Sequence, residues 1–413
     1  MKETGIYQNA IRGCLFGGAA GDALGYPVEF MKENDIFSEY GPRGIQEYAL
    51  DPKSGKALIS DDTQMTLFTV NGILTGETRL KLRGVGGMPH VYLPSSYQDW
   101  LHTQEMTFEE SRKQPQEAVK WTTSWLLDVP ELYAWRAPGN TCLDILHLQR
   151  YEKSQPESFI RQPQSNSKGC GGIMRVAPIG LRKMTDIRML DWEGAETAAI
   201  THGHSLGYMP AAVLVHIIQR IVYPEKPLTL KEIVLEARDT VAEIFAGDEH
   251  LEKLIQIINL SVELSENEKK DIVNIHRLGE GWVAEETLAI AVYCALKYQN
   301  NFSAGLIASV NHNGDSDSTG AVAGNILGAV CGYEVIEEKW KTNLELSDVI
   351  LEMADDLCYG CSMTEYGQYK DPEWKRKYVT HGYMRDKKNE SFLKVMKAGF
   401  LRIKRAARRT KPS

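Results

Sequence analysis

Two short clusters of acidic and hydroxyl side chains stand far apart in the chain. The first is Ser60-Asp61-Asp62-Thr63 and the second is Asp315-Ser316-Asp317-Ser318-Thr319. Neither cluster contains His or Cys, so both offer oxygen ligands, which suit hard cations such as Mg²⁺ or Mn²⁺ rather than zinc. If the fold brings the two clusters together, they form a metal site that is built from oxygen alone.

Each cluster taken singly also fits the start of a helix. Asp and Ser are favoured at helix N-caps, and acidic residues in the first turn complement the helix dipole. The second cluster also resembles the start of an EF-hand loop, with Gly320 at its sixth position. The twelfth position, which needs a bidentate Glu, is occupied by Ile326, so the EF-hand interpretation fails.

The two clusters together hold more carboxylates than two caps need. If four of them converge in one site, close pairs repel each other by about 4 kcal/mol at an effective dielectric constant near 20. Two divalent cations would cancel that charge. The spacing alone does not establish that the clusters meet.

Two further segments have residue types that bind ligands in other proteins. The segment 167–175 is rich in glycine, and backbone N–H groups in such loops can hold phosphates, but it lacks the P-loop and dinucleotide patterns. His202 and His204 are too few for a zinc centre without a third ligand, and a lone His is more often a hydrogen-bonded structural residue.

Helical patterns dominate the rest of the chain. Glycines recur every fourth residue at Gly13, Gly17 and Gly21, and a second series has the same spacing. Because glycine costs about 1 kcal/mol in a helix, such series predict close contact between helix backbones. We therefore expect both glycine-bearing helices to lie centrally in an all-α bundle and to pack near each other. The second series is Gly320, Gly324, Gly328 and Gly332.

Besides the second glycine-bearing helix, the pattern predicts ten helices and several loops, with few alternating segments typical of strands. Segments rich in Gly, Pro, Ser and Asn predict loops at 79–96, 136–141, 155–172 and 310–316. The predicted helices span 6–24, 63–75, 116–127, 192–201, 208–222, 230–244, 250–264, 284–297, 303–310 and 346–357.

Composition and charge exclude several classes of protein. The chain has 413 residues, is 43% hydrophobic and carries a net charge of −8, so general binding to nucleic acid is not expected. The N-terminus has no basic region followed by an apolar run, and no stretch approaches the roughly 20 apolar residues of a membrane span. We expect a cytoplasmic protein whose seven cysteines are buried free thiols. The lone Cys358-x-x-Cys361 pair is a weak metal signal.

The C-terminal end is strongly basic. Eight Lys and Arg residues lie between Lys394 and Lys411, interleaved with apolar side chains. Such a segment can bind an acidic partner, a membrane surface or nucleic acid. We favour a terminal helix that docks on the acidic body of the protein.

Seven segments, taken in order, resemble the motifs of the ADP-ribosylglycohydrolase family. This family includes the dinitrogenase reductase-activating glycohydrolase and the ADP-ribosylarginine hydrolases. The resemblance covers about residues 6–357. The segments are GCLFGGAAGDALG (13–25), SDDTQM (60–65), RAPGNT (136–141), SKGCGGIMRVAPIG (167–180), THGH (201–204), GWVAEE (281–286) and NHNGDSDS (311–318).

The resemblance implies a compact all-α fold, an orthogonal helical bundle, with two Mg²⁺ or Mn²⁺ ions. The domain would span 1–360, with an insertion at about 79–138, and 361–413 would form a C-terminal extension. The family often has Thr where this chain has Ser318, and Thr319 is an alternative sixth ligand. The metal ligands implied by the resemblance are Ser60, Asp61, Asp62, Asp315, Asp317 and Ser318.

The resemblance also implies the remaining site residues. Glu29 is an acidic residue near the metals, and Glu29, Asp61 and Asp62 are the candidates for general base. The loop around the glycines is expected to bind the substrate diphosphate, and Asn313 and Gly314 the distal ribose. The expected substrate-binding residues are Lys168, Gly169, Cys170, Gly171, Gly172, His202, Asn313 and Gly314.

The implied activity is metal-dependent hydrolysis of the N-glycosidic bond of an ADP-ribosylated protein, with ADP-ribosylarginine as the expected substrate and ADP-ribose as the product. One alternative is another linkage, such as O-linked serine. Others are a different two-metal hydrolase such as a phosphatase, or a catalytically weak ADP-ribose-binding protein that neutralises a toxin. A protein partner would then contact the 79–138 segment or the basic tail.

Overall fold

The computed structural model describes residues 2–113, 124–152, 154–364 and 370–381. Within these ranges the chain forms helices and no β-strand, which confirms the predicted all-α class. The α-helices are α1 (Lys2–Gly25), α2 (Glu33–Tyr40), α3 (Asp61–Arg83), α4 (Pro89–Glu105), α5 (Phe108–Lys113), α6 (Asn140–Arg150), α7 (Ala177–Gly180), α8 (Ile187–Ala199), α9 (Ser205–Val222), α10 (Leu230–Ile244), α11 (Leu251–Ser265), α12 (Asp271–Leu278), α13 (Ala284–Lys297), α14 (Phe302–Val310), α15 (Ser316–Cys331), α16 (Glu338–Lys341), α17 (Ser347–Tyr359) and α18 (Pro372–Tyr378). Short 3-10 helices span Tyr26–Val28, Trp125–Asp128, Pro130–Tyr133, Cys170–Arg175 and Tyr333–Val335.

Helices α1 and α15 pack backbone against backbone through their glycines. A Cβ atom added at Gly13 would lie 2.1 Å from the carbonyl oxygen of Gly328, and one at Gly17 would lie 2.3 Å from that of Gly324. Gly21 faces Gly320 in the same way, at 1.9 Å, so the two helices run antiparallel. The predicted contact between the two glycine series is confirmed.

Gly332 does not belong to this contact. It ends α15 with a φ of 77°, in the left-handed region that glycine adopts most readily.

Helix α9 is the most apolar long helix and crosses the core. Its residues Ser205–Val222 have the length and composition of a membrane span, but 89% of this window is buried inside the protein. The core helix of a folded protein can have the same length and apolar composition, and the burial of this segment places it in the interior.

The predicted loop at 79–96 is wrong. Helix α3 continues to Arg83, ends at Gly84 with a φ of 62°, and α4 begins at Pro89, so only five residues connect the two helices. The Gly and Pro residues that suggested a loop instead form a C-cap and a first helical turn, where both are favoured. Tyr97 and Trp100 of α4 are fully buried, so this part of the expected insertion belongs to the core.

Of the other predicted helices, 116–127 falls mostly on residues 116–123, outside the described part of the chain. Residues Trp125–Asp128 form a 3-10 helix. Helices α2, α6 and α12 were not predicted, and α6 begins within the predicted loop at 136–141.

The chain beyond residue 360 returns to the body of the protein as far as it is described. Trp374 of α18 is buried, and its indole N–H donates to Thr78 Oγ1 at 2.8 Å. Lys377 pairs with Asp356 of α17. The basic end lies outside the described residues, so its docking stays a prediction.

The start of α3 is fixed by a buried carboxylate on α1. Asp22 accepts hydrogen bonds from the backbone N–H of Ser60 at 2.9 Å, from that of Thr63 at 3.1 Å, and from the Thr63 hydroxyl. The side chain of Ser60 itself caps the helix by accepting from the Asp62 N–H at 3.2 Å. Asp22 therefore fixes where the first acidic cluster lies relative to α1.

Replacing Gly17 by Ala is expected to lower the free energy of unfolding by roughly 3 kcal/mol. The new methyl group would lie 2.3 Å from the Gly324 carbonyl oxygen, so α1 and α15 must move apart. Urea denaturation followed by circular dichroism measures the change. Gly5→Ala is the matched control on the same helix, because a Cβ there meets nothing within 4 Å. Equal effects of the two substitutions would contradict the close-packing argument.

Asp22→Ala is expected to cost roughly 3 kcal/mol of unfolding free energy, because three donors at the start of α3 lose their buried acceptor. The control is Asp186→Ala, since the exposed Asp186 side chain caps α8 through one bond from the Met189 N–H at 3.1 Å. That substitution should cost only about 1 kcal/mol. Thermal and urea denaturation of both variants compare the two caps, and a similar loss for both would refute the special role of Asp22.

Candidate active site

The two acidic clusters meet at one cavity of about 360 Å³. Because α1 and α15 are antiparallel, the C-terminal end of α1 lies beside the start of α15, and a Cβ at Gly25 would lie 2.2 Å from the Ser316 carbonyl oxygen. Asp22 holds the start of α3 against the same end of α1. The first turns of α3 and α15 therefore converge. The cavity is lined by Glu29, Phe30, Asp61, Asp62, residues 137–142, Gly169, Cys170, Gly171, Met174, His202, Trp282, Asp315, Asp317 and Ser318.

The carboxylates of this cavity are buried and crowded. Glu29, Asp61, Asp62, Asp315 and Asp317 are each at most 7% exposed. Burial, followed by the neighbouring negative charges, raises the pKa of Asp62 and of Asp317 well above the usual range. The same causes raise the pKa of Glu29 to about 9. The site therefore concentrates negative charge that the protein itself does not neutralise locally.

Two oxygens of this group have no hydrogen-bond partner. They are Oε2 of Glu29 and Oδ2 of Asp62, both buried. A buried carboxylate oxygen without a donor is costly, and cations are the usual compensation.

The donor set fits hard divalent cations in its chemistry. It consists of carboxylate oxygens with the Ser60 and Ser318 hydroxyls, and unpartnered oxygens point to missing positive charge. Among the described residues, no group of three or more His, Cys, Asp or Glu side chains is already arranged to hold an ion. Binding would therefore require rotations of these side chains.

One contact in the cavity is unexpected in an all-oxygen site. The Cys170 thiol lies 2.7 Å from Asp315 Oδ2, as a donor to that carboxylate. Burial and the Asp315 charge raise the pKa of Cys170 well above the usual range, so it is a neutral thiol.

The position of Ser318 distinguishes it from Thr319. Ser318 lines the cavity, and its backbone N–H donates to Asp315 Oδ1 at 3.1 Å. The Thr319 hydroxyl instead donates to the Ser309 carbonyl at 2.7 Å, away from the carboxylates. This geometry favours Ser318 as the hydroxyl ligand.

The glycine-rich segment forms another part of the lining of the active-site cavity. Gly169 pairs with Val283, and the Cys170 N–H donates to the Trp282 carbonyl at 3.2 Å. Gly171 allows close contact, since a Cβ there would lie 2.9 Å from His202 Cε1.

Two predicted residues of this segment lie beside the cavity rather than in its lining. A Cβ at Gly172 would face Ala198 at 3.1 Å. Lys168 directs its ammonium group to the buried Glu285, at 2.7 Å, and shares that carboxylate with Lys253. The partner of Lys168 therefore comes from a distant helix and not from the cavity.

His202 is buried at the foot of the glycine segment. Burial and the Arg175 charge lower its pKa to about 3, so its imidazole is neutral. Thr201 Oγ1 accepts from Arg175 Nη2 at 2.6 Å and lies 2.8 Å from His202 Nδ1. Thr201 therefore links Arg175 to Nδ1 of His202 and leaves Nε2 as the other ring nitrogen. Nε2 lies next to Gly169 at the cavity.

Asn313 and Gly314 support the site from outside the described cavity lining. Asn313 Oδ1 accepts from the Glu33 N–H at 2.8 Å and so holds the start of α2. Gly314 has a φ of 105°, and a Cβ there would lie 2.0 Å from the Glu280 carbonyl oxygen. That same carbonyl accepts from the Asp315 N–H at 2.9 Å, so Gly314 allows the approach that positions Asp315.

Sequence reasoning gave no role to four residues of the site. Asp22 and Arg175 were visible only as members of motifs, because their partners lie far along the chain. Phe30 and Trp282 form a stacked pair at the rim, with ring centroids 5.9 Å apart. Their signal is two aromatic side chains that flank motif residues and remain 73% and 39% exposed.

Comparisons with known proteins agree with this geometry. A model of the ADP-ribosylglycohydrolase family matches residues 3–366. The chain is 25% identical to ADP-ribosylhydrolase ARH3 of Bos taurus, with 81% of this chain and 88% of the relative covered. It is 23% identical to the ADP-ribosyl-[dinitrogen reductase] glycohydrolase of Rhodospirillum rubrum, with 84% and 93% covered.

A solved structure described as an ADP-ribosylglycohydrolase-related protein complex has the same fold. It superposes with a TM-score of 0.59 at 21% identity and covers 87% of this chain and 99% of its own. The family match includes every residue of the acidic cavity. The protein therefore belongs to the ADP-ribosylglycohydrolase family, enzymes that hydrolyse glycosidic bonds.

Proposed function

We propose that this protein is a Mg²⁺- or Mn²⁺-dependent hydrolase that removes ADP-ribose from arginine side chains of modified proteins. The observation that carries this proposal is the buried carboxylate cluster, with the unpartnered oxygens of Glu29 and Asp62, facing a glycine-rich wall. Membership of the family supports hydrolysis of a glycosidic bond, and the charge of the cavity supports arginine as the acceptor.

The metal-binding role falls to the residues at the first turns of α3 and α15. Ser60, Asp61 and Asp62 would hold the ions from one side, and Asp315, Asp317 and Ser318 from the other. Divalent cations held there would supply a water molecule of lowered pKa and positive charge for binding the ribose hydroxyl groups.

Glu29 is the carboxylate best placed for proton transfer. It lies at the cavity but outside both metal-binding turns, directly after the 3-10 helix Tyr26–Val28, and its Oε2 accepts no hydrogen bond from the protein. In its ionised form, Glu29 would take the proton of the attacking water as the bond from the water oxygen to ribose C1 forms and the bond between C1 and the acceptor nitrogen breaks. It would then pass that proton to the departing guanidine nitrogen. The surrounding carboxylates stabilise the positive charge that develops on the sugar ring.

The glycine-rich part of the cavity lining suits the negatively charged diphosphate. His202 presents Nε2 next to Gly169, and burial together with the Arg175 charge keeps its imidazole neutral. Gly169 and Gly171 allow the ligand to approach the backbone without side-chain interference. Lys168 would contribute only if it left Glu285.

The charge of the cavity favours an arginine acceptor over a serine acceptor. The guanidinium group of ADP-ribosylarginine is cationic and keeps four of the five N–H donors of arginine, so it matches an unpartnered carboxylate oxygen such as Glu29 Oε2. A serine oxygen carries no charge and would leave that carboxylate without a donor. The relatives' names leave the acceptor open, so this choice is made on the physical argument alone.

The activity is tested by product analysis on a panel of ADP-ribosylated acceptors. ADP-ribosylarginine should release ADP-ribose in the presence of Mg²⁺ or Mn²⁺, and EDTA should abolish the release because the ligand set is all oxygen. The control is ADP-ribosylserine under the same conditions, together with a simple phosphate ester. Full activity after chelation would contradict the proposed metal dependence. Faster release of ADP-ribose from ADP-ribosylserine would contradict the proposed arginine acceptor.

Asp62→Asn tests the metal site without measuring catalysis. The substitution keeps the shape of the side chain but removes one negative charge from the cluster. Calorimetry should show Mn²⁺ binding that is weaker by about tenfold or more, because one carboxylate ligand is lost. The metal-free variant should be at least as stable as the wild type, because charge repulsion falls. Asp186→Asn, on the exposed cap of α8, is the control. Unchanged Mn²⁺ affinity in Asp62→Asn would contradict the assignment.

A further inference from the structure

A second cavity adjoins the active site on the Glu29 side. Its volume is about 400 Å³, and it shares Phe30 and Ala137 with the active-site cavity. Neither the glycine-rich segment nor His202 is part of its described lining. We call it the side groove. It is lined by Tyr26, Pro27, Phe30, Ala49, Leu50, Asp51, Leu58 and Ala137.

The side groove is apolar and open to solvent. Phe30 is 73% exposed and Leu50 is 44% exposed, and they face the same hollow. Asp51 is the one charged residue of the described lining, and its Oδ2 already accepts from the N–H and the hydroxyl of Ser54, both at 2.8 Å. Adjacent exposed apolar side chains in a concave surface are typical of a site that binds another molecule.

The walls of the side groove are held in place by the body of the protein. Next to Leu58, Ala57 donates its N–H to the Asn343 carbonyl at 2.9 Å and accepts from the Glu345 N–H at 3.0 Å. Arg136, next to Ala137, pairs with Glu345 at 3.2 Å. Ala137 itself has a φ of 54°, a conformation that costs energy for a residue with a Cβ and recurs at functional sites. The groove is therefore preformed.

The position of the side groove relates it to one half of the substrate. The proposed diphosphate wall, Gly169 to Gly171 with His202, lines the active-site cavity but not the side groove. Glu29 is adjacent in the chain to Phe30, where the groove begins. A substrate with its diphosphate on the glycine wall and its ribose C1 at the carboxylates presents its acceptor towards Glu29 and Phe30.

We propose that the side groove binds the polypeptide segment that carries the ADP-ribosylated residue, through an apolar side chain next to the modified position. This inference rests on the proposed function and adds a preference for sequence around the modified residue. The described lining offers no cation to an acidic neighbour, and the side chains of Phe30, Leu50 and Leu58 favour an apolar neighbour such as Leu or Phe.

The test compares three substrates with the wild-type enzyme and two variants. The substrates are ADP-ribosylarginine itself, an ADP-ribosylated peptide with Leu beside the modified arginine, and the same peptide with Gly there. Leu50→Ser changes the groove. Leu80→Ser is the matched control, because Leu80 is similarly exposed at 50% but lies at the C-terminal end of α3, whereas the acidic cluster is at the N-terminal end of that helix.

The wild type should hydrolyse the Leu peptide with a kcat/KM about tenfold above that of the Gly peptide, mainly through a lower KM. Leu50→Ser should remove this preference, leave ADP-ribosylarginine hydrolysis unchanged, and leave the affinity for free ADP-ribose unchanged in calorimetry. Leu80→Ser should behave as the wild type.

Three results would overturn the inference. Equal kcat/KM for the two peptides with the wild type would show that the groove does not read the neighbouring residue. A loss of ADP-ribose affinity in Leu50→Ser would assign the groove to the nucleotide half of the ligand. Hydrolysis of none of the three substrates by the wild type with Mg²⁺ and Mn²⁺ would overturn the proposed function, and the groove assignment with it.

Discussion

The contact between the backbones of α1 and α15 is the constraint on which the active site depends. Three glycine pairs bring the helices so close that a single methyl group at Gly17 would overlap the Gly324 carbonyl. This contact places the end of α1 at the start of α15, and Asp22 then ties the start of α3 to the same point. Two clusters more than 250 residues apart in the chain are thereby brought to one cavity.

Because the two clusters converge, several carboxylates of like charge are buried close together. Asp61, Asp62 and Asp317 all have pKa values raised by burial and then by neighbouring carboxylates, among them Asp22 and Asp315. A structure selected only for stability would pair or remove such groups. The close helix pair holds these carboxylates together, and the proposed divalent cations would offset the repulsion between them.

Sequence reasoning predicted the parts of this arrangement that depend on local pattern. Equal glycine spacing on two helices has one simple physical meaning, so their contact was predictable, whereas the antiparallel pairing was not. Asp22 and Lys168 show the limit, because their partners Ser60 and Glu285 lie 38 and 117 residues away and no local pattern reveals them. Helix α4 was missed because its flanking Gly and Pro residues read as loop signals but act as helix caps.

The two walls of the cavity differ in charge, and this difference orders the substrate before any specific contact forms. The proposed diphosphate would be repelled by the carboxylates and attracted to the segment around His202, beside which the buried Arg175 carries its charge. The ribose end must then face the carboxylates, and the acceptor must leave past Glu29. The side groove begins at that exit with Phe30, so the electrostatics of the cavity and the apolar surface beside it lead to the same direction of binding.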